Sequence, residues 1–325
     1  MDKFVFFGGK GGVGKTTVSS AYGLKCAREG IDTLIVSTDP AHSTSDVFDQ
    51  QFDDDPAPVD GYDHLWAMEL DPDEEVERHM REIRSEMTDQ VSPAIVNEID
   101  RQIELAHRTP GAYEAAMFDR FIDVMRNSDD YDRVVFDTSP TGGTLRLLAL
   151  PEFLESWIDR LAEKRRESVD LFEKAAIGDK EARAKLRDDP IIKRLAERKE
   201  LFEFAGRTLR EEAAFYLVLN PDELSIEESQ RAITELTEAG LEVGGLVVNK
   251  VAPEPDPEES GTGATYLRKR HRTEQERLAR IRGEFSQPIV ATIQQRVSEV
   301  KGDLLSTVAD EVDISVGAEK HTRRK

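Results

Sequence analysis

The chain has 325 residues, enough for one large α/β domain or two small ones, and 38% of them are hydrophobic, which allows a core of ordinary size. Its formal net charge of −22 disfavours contact with nucleic-acid backbones and anionic lipid, so we expect no nucleic acid among its partners. We see no signal peptide, no apolar run of membrane-spanning length and only one cysteine, Cys26, so we expect a cytoplasmic protein without disulfides or a cysteine-based metal site.

A glycine-rich stretch follows the first apolar run of the chain, which we predict to be a strand at Lys3–Phe7. Residues 9–16 fit the P-loop pattern G-x-x-x-x-G-K-[ST], in which bare backbone N–H groups and a helix N-terminus bind phosphate. In this pattern Lys15 contacts the β- and γ-phosphates, and Thr16 contributes a hydroxyl ligand to Mg²⁺. The predicted nucleotide-binding residues of the loop are Gly9, Lys10, Gly11, Gly12, Val13, Gly14, Lys15, Thr16 and Thr17.

Short β-rich runs alternate with helical patterns along the rest of the chain. This alternation predicts an α/β fold of the P-loop NTPase type, a mostly parallel sheet wrapped by helices. One helix should run from Lys15 to about Glu29, and another from Ser225, where Ser225 and Glu228 form a capping box, to just before Gly240. The further predicted strands are Thr33–Ser37, Leu65–Met68, Arg133–Asp137, Phe215–Leu219, Gly244–Val248 and Pro288–Thr292.

Two long stretches, at about 73–126 and 152–212, carry helical patterns without strand signals. We interpret them as insertions that form one helical subdomain above the sheet edge carrying the P-loop, within a single ATPase domain over residues 1–312. The Pro- and Gly-rich residues 252–263 predict a mobile loop, and residues 313–325 a disordered tail. A basic cluster at 268–272 stands out on the acidic background and is either a solvated face or a patch that docks a partner.

Two carboxylates lie at or just after the carboxyl ends of predicted strands, at the edge of the sheet where ligands bind. Asp137 ends an apolar strand, and we expect it to hold Mg²⁺ directly or through water, together with Thr16. Asp39 follows the second strand, and we predict that it positions and activates the attacking water. The loop after Asp137 is predicted to sense the γ-phosphate.

Several of these motifs together resemble one family. Lys10 occupies the position that marks the deviant P-loop; residues 37–46 read STDPAHSTSD, and residues 137–151 read DTSPTGGTLRLLALP. The two latter stretches resemble switch I and switch II of the arsenical pump-driving ATPases and of the ATPases that target tail-anchored membrane proteins. In this resemblance switch II includes Asp137, Pro140, Thr141, Gly142 and Gly143.

The resemblance implies a homodimer with two facing ATP sites, in which Lys10 of each subunit contacts the nucleotide of the other and has a catalytic role beside Asp39. It also implies that Asn249, at a strand end, reads adenine and that Asp222 contacts the nucleoside. ATP closes such a dimer and hydrolysis reopens it. The acidic surface is interpreted separately, as a halophilic adaptation to high salt.

Three features depart from the family pattern. The Cys-x-x-Cys pair that holds zinc between subunits of the targeting ATPases is absent, so no zinc is expected. Arsenite-activated members use cysteine thiolates, which Cys26 alone cannot supply. Gly143 stands where the family generally has histidine.

These features leave three functions open. The first is a homodimeric ATPase that captures and delivers a hydrophobic, tail-anchored segment of a membrane protein. The second is the energising ATPase subunit of an arsenite or anion export system, with a membrane transporter subunit as partner. The third is an ATP-gated holdase or scaffold. The apolar residues of 152–212 serve either as a client groove or as an ordinary subdomain core.

Overall fold

The computed structural model of the chain describes residues 2–38, 43–71, 74–75, 77–78, 81, 112–137, 159–160, 163–164 and 190–316, and the structural statements below concern these residues. Their main helices and strands are, in chain order, β1 (Phe4–Gly8), α1 (Lys15–Arg28), β2 (Thr33–Ser37), α2 (Ser43–Phe48), β3 (Ala57–Pro58), β4 (Leu65–Glu69), α3 (Ala112–Arg126), β5 (Arg133–Asp137), α4 (Pro190–Glu211), β6 (Ala213–Leu219), α5 (Glu223–Glu238), β7 (Val243–Val251), α6 (Thr262–Glu284), β8 (Ile289–Gln294) and α7 (Asp303–Glu311).

Within the described ranges the strands form one sheet with the order β3-β4-β2-β5-β1-β6-β7-β8. All neighbouring pairs are parallel except β3 with β4. The predicted mostly parallel α/β sheet is therefore confirmed, and each of the seven predicted strands lies within three residues of its observed bounds. The short antiparallel strand β3 was not predicted, because a two-residue strand ending in Pro58 has no apolar alternation.

Both faces of the sheet are buried. Successive side chains of a strand point to opposite faces, so neighbouring residues of β1 pack in different layers. On one face Phe6 stacks on Phe136 at 4.5 Å between ring centroids and on Phe215 at 4.9 Å, and helix α3 adds Phe121 edge-on. On the other face Phe7 packs with Tyr22 of α1 at 5.6 Å. These two layers hold β1 at the centre of the sheet and fix the direction of the P-loop that follows it.

Helices α3 and α4 fall in the two predicted insertions, and their helical character agrees with the prediction. Their placement does not: Phe118, Phe121, Phe202 and Leu209 are buried in the same cluster as Phe6, so α3 and the described side chains of α4 cover a sheet face. The prediction of a subdomain above the sheet edge is wrong for these two helices. The rest of both insertions lies almost wholly outside the described residues.

The start of α5 differs from the predicted capping box. The helix begins at Glu223, and its N-cap is Asp222, whose Oδ1 accepts a hydrogen bond from the Ser225 N–H at 2.9 Å. An aspartate is as good an N-cap as serine, and it reaches the free N–H groups one turn earlier. The predicted glycine stop is confirmed, since Gly240 has a φ of 71° just after the helix.

The start of the predicted C-terminal tail is packed against the core. Ile314 and Val316 are each 3% exposed and belong to the cluster that contains Phe7, so residues 313–316 are not a disordered tail. Residues 317–325 lie outside the described ranges. The predicted loop at 252–263 has neither helix nor strand over residues 252–261, and α6 begins at Thr262; its mobility stays a prediction.

Much of the basic cluster at 268–272 binds the chain itself. Arg270 donates to Glu274 at 2.7 Å and to Gln295 at 2.6 Å, and His271 lies 3.1 Å from the Ala252 carbonyl oxygen. Arg268 contacts the Glu259 carbonyl. These contacts join α6 to the ends of β7 and β8.

Within the described ranges, we find no helix that combines the length and the apolar composition needed to span a bilayer.

Candidate functional site

The P-loop follows the central strand β1, which lies between β5 and β6, and its last two residues, Lys15 and Thr16, are the first two of α1. Two of its glycines are required by the geometry. A Cβ on Gly9 would lie 2.2 Å from the Val218 carbonyl oxygen, and a Cβ on Gly14 would lie 2.4 Å from Nδ2 of Asn249. Both residues also have positive φ, 142° and 92°. At these two glycines the loop backbone packs directly against β6 and β7, and the missing side chains leave its N–H groups open to phosphate.

The N-terminus of α1 is prepared for an anion. Its N-cap, Gly14, offers no side-chain hydrogen bond, and α1 has no acidic residue in its first turn. The N–H groups of the first turn and the positive end of the helix dipole therefore lie next to the loop. Lys15 is only 8% exposed, and its ammonium donates to the Lys10 carbonyl at 3.3 Å.

A cavity of about 560 Å³ opens beside the loop, within the usual range for nucleotide-sized ligands. Its walls come from four parts of the chain: the P-loop and α1, helix α2, the end of β7, and the segment from β8 into α7. The lining residues are Gly12, Gly14, Lys15, Thr16, Thr17, Ser43, Val47, Asn249, Lys250, Ile293, Gln294, Gln295, Arg296, Val297, Ser298, Glu299, Val300 and Val308.

Sequence reasoning missed one whole wall of this cavity. The residues that follow β8, from Gln295 to Val300, carry no motif, and β8 was predicted only as a strand. A usable signal existed, because the segment follows the carboxyl end of a parallel strand, the edge at which open α/β sheets bind ligands. Val297 in this segment is fully exposed.

Asp137 lies where the sequence predicted. It pairs in register with Phe7 of β1 and Ser37 of β2, and its residue is 1% exposed. Its main-chain carbonyl accepts hydrogen bonds from the Thr38 N–H at 3.1 Å and the Thr38 hydroxyl at 3.3 Å. The end of β2 is therefore tied to the end of β5 directly before residue 39.

The hydroxyl of Thr16 and the carboxylate of Asp137 are hard oxygen donors, the chemistry that Mg²⁺ prefers. Thr16 lines the cavity and Asp137 ends the strand next to β1. The described residues thus fit the metal that the sequence predicted, with further ligands expected from phosphates and water.

Asn249 occupies the cavity wall and also holds the P-loop. Its Nδ2 donates to the Val13 carbonyl at 2.8 Å, and its Oδ1 accepts from the Lys250 N–H at 2.8 Å. The amide retains one further proton and one further lone pair. Reading of adenine by Asn249 stays a prediction, but a role in shaping the loop is visible.

Asp222 serves a structural purpose in this arrangement. Its two carboxylate oxygens accept from the N–H and the hydroxyl of Ser225, at 2.9 and 3.1 Å. Contact between Asp222 and a nucleoside stays a prediction.

The ammonium of Lys10 lies 4.0 Å from Oε1 of Glu228, the residue assigned to the capping box from sequence. Glu228 is therefore a neighbour of the P-loop rather than part of a helix cap.

Glu69 is a buried carboxylate that the sequence analysis did not find. It is 4% exposed, and it accepts from the N–H groups of Thr44 and Ser45, each at 2.9 Å, and from the Ser45 hydroxyl at 2.7 Å. It therefore fixes the N-terminus of α2, whose Ser43 and Val47 line the cavity. A single glutamate at a strand end has no spacing that would distinguish it from a surface residue.

Several predicted site residues lie outside the described ranges. They are Asp39 of switch I and Pro140, Thr141, Gly142 and Gly143 of switch II.

With this geometry established, comparison with known proteins adds the family. Residues 2–312 match the family described as anion-transporting ATPases. The chain belongs to this family. The chain is 30% identical over 298 residues to an Aquifex aeolicus protein named as an arsenical pump-driving ATPase; the match covers 91% of the chain and 94% of that protein.

Further relatives carry either this name or others. ATPase GET3A of Arabidopsis thaliana is 34% identical over 281 residues, which cover 85% of the chain and 73% of that protein. ATPase ASNA1 homolog 1 of Paramecium tetraurelia is 33% identical over 77% of the chain and 75% of its own length. A Halobacterium salinarum protein named as an arsenical pump-driving ATPase is 33% identical over 99% of the chain, which spans 46% of that protein. Membership of the anion-transporting ATPases supports ATP hydrolysis as the activity of the chain.

Proposed function

We propose that the chain is a homodimeric ATPase whose binding and hydrolysis of ATP drive the capture and delivery of a hydrophobic segment of a membrane protein. The observation that carries the proposal is the cavity at the P-loop, with Lys15, Thr16 and Asn249 in its walls. The client is supported by the resemblance of residues 37–46 and 137–151 to the ATPases that target tail-anchored proteins, and by relatives named ATPase GET3A and ATPase ASNA1 homolog 1.

The P-loop supplies the chemistry for phosphate. Backbone N–H groups at the start of α1 and the ammonium of Lys15 offer positive charge where the transferred phosphoryl group gains negative charge. Thr16 and Asp137 would hold Mg²⁺, which would neutralise negative charge on the phosphates when bound. Because Lys15 is only 8% exposed, its charge acts in a poorly solvated setting and is weakly screened.

The attacking water is assigned to Asp39, in agreement with the sequence prediction. The residues before it support this assignment, since Ser37 pairs with Asp137 and Thr38 binds the Asp137 carbonyl. Residue 39 thus follows directly on a strand end tied to the proposed magnesium ligand.

A role for Lys10 across a dimer interface is part of the same proposal. Lys10 is about one-third exposed, so its ammonium is accessible to a second copy of the chain. Its pairing with Glu228 at 4.0 Å is a surface ion pair, which holds the side chain weakly. Contact with the partner's nucleotide would therefore displace it at little cost.

The structure narrows the part of the chain that would bind the client. Phe202 is 5% exposed and Leu209 is 1% exposed, and both pack against the sheet, so they belong to the core and are not groove residues. Trp157 and Phe172 lie in the part of the insertion outside the described ranges, and they are the apolar residues that we propose contact the client.

A labelled peptide from a tail anchor tests the client. Fluorescence anisotropy would be measured at high salt with MgATP, with MgADP and without nucleotide. We expect binding that requires MgATP and is lost when Trp157 and Phe172 are changed to Ser. The matched control is Leu224→Ser, which alters a half-exposed leucine on α5. No binding in any nucleotide state, or equal loss in the control, would refute the client.

The second candidate is the energising subunit of an anion export system, which the family description and the names of the Aquifex and Halobacterium relatives favour. Soft oxyanions such as arsenite need several thiolates, and Cys26 is the only cysteine of the chain and is buried. Stimulation of ATP hydrolysis by a hard oxyanion, without peptide binding, would favour this candidate.

A further inference from the structure

The end of β7 contains an irregularity directly beside the P-loop. Val248 pairs with Thr292 of β8 and Val251 pairs with Gln294, so two residues of β7, Asn249 and Lys250, lie opposite one residue of β8. Lys250 has a φ of 56°, in the left-handed region that residues other than glycine rarely adopt. A bulge of this kind redirects the side chains it contains.

The redirected side chains bind two consecutive carbonyls of the P-loop. Asn249 Nδ2 donates to the Val13 carbonyl at 2.8 Å, and Lys250 Nζ donates to the Gly12 carbonyl at 2.6 Å. The Lys250 N–H donates to Asn249 Oδ1 at 2.8 Å, which couples the two contacts.

We propose that Lys250 is a positioning residue for nucleotide phosphate: its ammonium holds the Gly12 carbonyl so that the N–H of Val13 is presented for anion binding. The reason is the planar trans peptide, in which a carbonyl and the N–H of the next residue point in opposite directions. Fixing the Gly12 and Val13 carbonyls toward β7 fixes the N–H groups of Val13 and Gly14 on the opposite side. An amide that is already oriented needs no reorganisation when phosphate binds.

Fold stability alone gives no reason for a lysine at this position. The residue is exposed, its left-handed backbone disfavours any side chain, and a long flexible side chain loses rotamer freedom when it is held in place. Glycine or asparagine would adopt the same backbone more readily. Strained backbone of this kind clusters at functional sites, and Lys250 lines the cavity.

The test uses three variants of the full chain and one matched control. Lys250→Met keeps the alkyl stem and removes the charge, Lys250→Arg restores a cation, and Lys250→Gly removes both the ammonium and the backbone strain. Lys269→Met removes the charge of an exposed lysine on α6. Affinity for MgADP by calorimetry, KM and kcat for ATP, and thermal unfolding are measured for each.

We expect Lys250→Met to weaken MgADP binding and raise KM by about tenfold, the loss of one charge-assisted hydrogen bond, with a smaller change in kcat. Lys250→Gly should lose the same affinity while its unfolding temperature stays equal or rises. Lys250→Arg should recover part of the affinity, and Lys269→Met should match wild type. Wild-type affinity in Lys250→Met, or losses of affinity that simply follow losses of stability, would overturn the proposal.

Amide resonances separate positioning from direct contact with phosphate. In protein without nucleotide, Lys250→Met should shift the amide signals of Val13 and Gly14, because their peptide planes are no longer held. Unshifted signals combined with weaker MgADP binding would show direct contact and overturn the positioning role. The proposal concerns the ATP site and is independent of the client; failure of the wild-type chain to bind any nucleotide would instead overturn the ATPase assignment.

Discussion

Replacing Gly14 with alanine tests how the P-loop is wedged against β7. Gly14 has a φ of 92°, and its Cβ would lie 2.4 Å from Nδ2 of Asn249. The backbone strain costs about 1–2 kcal/mol. The asparagine amide cannot move without breaking its bond to the Val13 carbonyl, which adds about 1 kcal/mol. We therefore expect Gly14→Ala to lower the free energy of unfolding by about 2–3 kcal/mol.

Gly30 provides the matched control for this variant. It has a φ of 76° after α1, and a Cβ there would meet nothing within 4 Å. Gly30→Ala should therefore be destabilised only by backbone strain, by about 1–2 kcal/mol. Urea denaturation measures the difference in stability, and calorimetry with MgADP measures binding. Because the displaced Asn249 amide no longer holds the Val13 carbonyl, Gly14→Ala should lose about tenfold in affinity for MgADP, equivalent to about 1.4 kcal/mol. Gly30→Ala should bind MgADP as wild type does. Equal stability and equal affinity in both variants would refute the reasoning.

Three further predictions follow from the described contacts. Glu69→Ala removes the acceptor of three hydrogen bonds at α2 and should destabilise the chain by about 2–3 kcal/mol in urea denaturation; wild-type stability would show that α2 does not need the carboxylate. Burial raises the pKa of the Cys26 thiol from 9.0 to about 11, so the thiol ionises at lower pH in the unfolded chain than in the folded one. The free energy of unfolding should therefore fall as pH rises from 9 to 11, and it should fall less in Cys26→Ala. An equal dependence of stability on pH in the two proteins would contradict this. Lys10→Ala should leave unfolding within about 1 kcal/mol of wild type, since it loses one surface ion pair, yet weaken dimerisation driven by an ATP analogue in sedimentation; an unchanged dimer would exclude a role across the interface.

Much of the fold could be predicted because the sheet is buried on both faces. Strands β2 and β5 were predicted at their observed bounds, since each is a short run of apolar residues ended by a turn signal. The P-loop was recognisable for a similar reason, because its backbone geometry admits only glycine at Gly9 and Gly14.

The parts that escaped prediction depend on long-range pairing. The bulge at Lys250 exists only because β7 and β8 pair with a shifted register, which no local spacing reveals. Likewise, Phe202 has the same helical spacing whether its helix covers the sheet or a separate subdomain. The stacking of Phe202 on Phe118, with 5.7 Å between ring centroids in the core cluster that contains Phe6, shows that the helix covers the sheet.

The measurement that tests the central claim most directly is phosphate release from MgATP by the purified chain and by its Lys15→Ala variant. Lys15 lines the cavity at the start of α1, and its ammonium is the group that we propose stabilises the transferred phosphate. We expect hydrolysis by the wild-type chain and a loss of at least about 10²-fold in kcat for the variant, with unfolding still cooperative. Hydrolysis at the wild-type rate by Lys15→Ala would contradict the assignment of this cavity as the ATPase site.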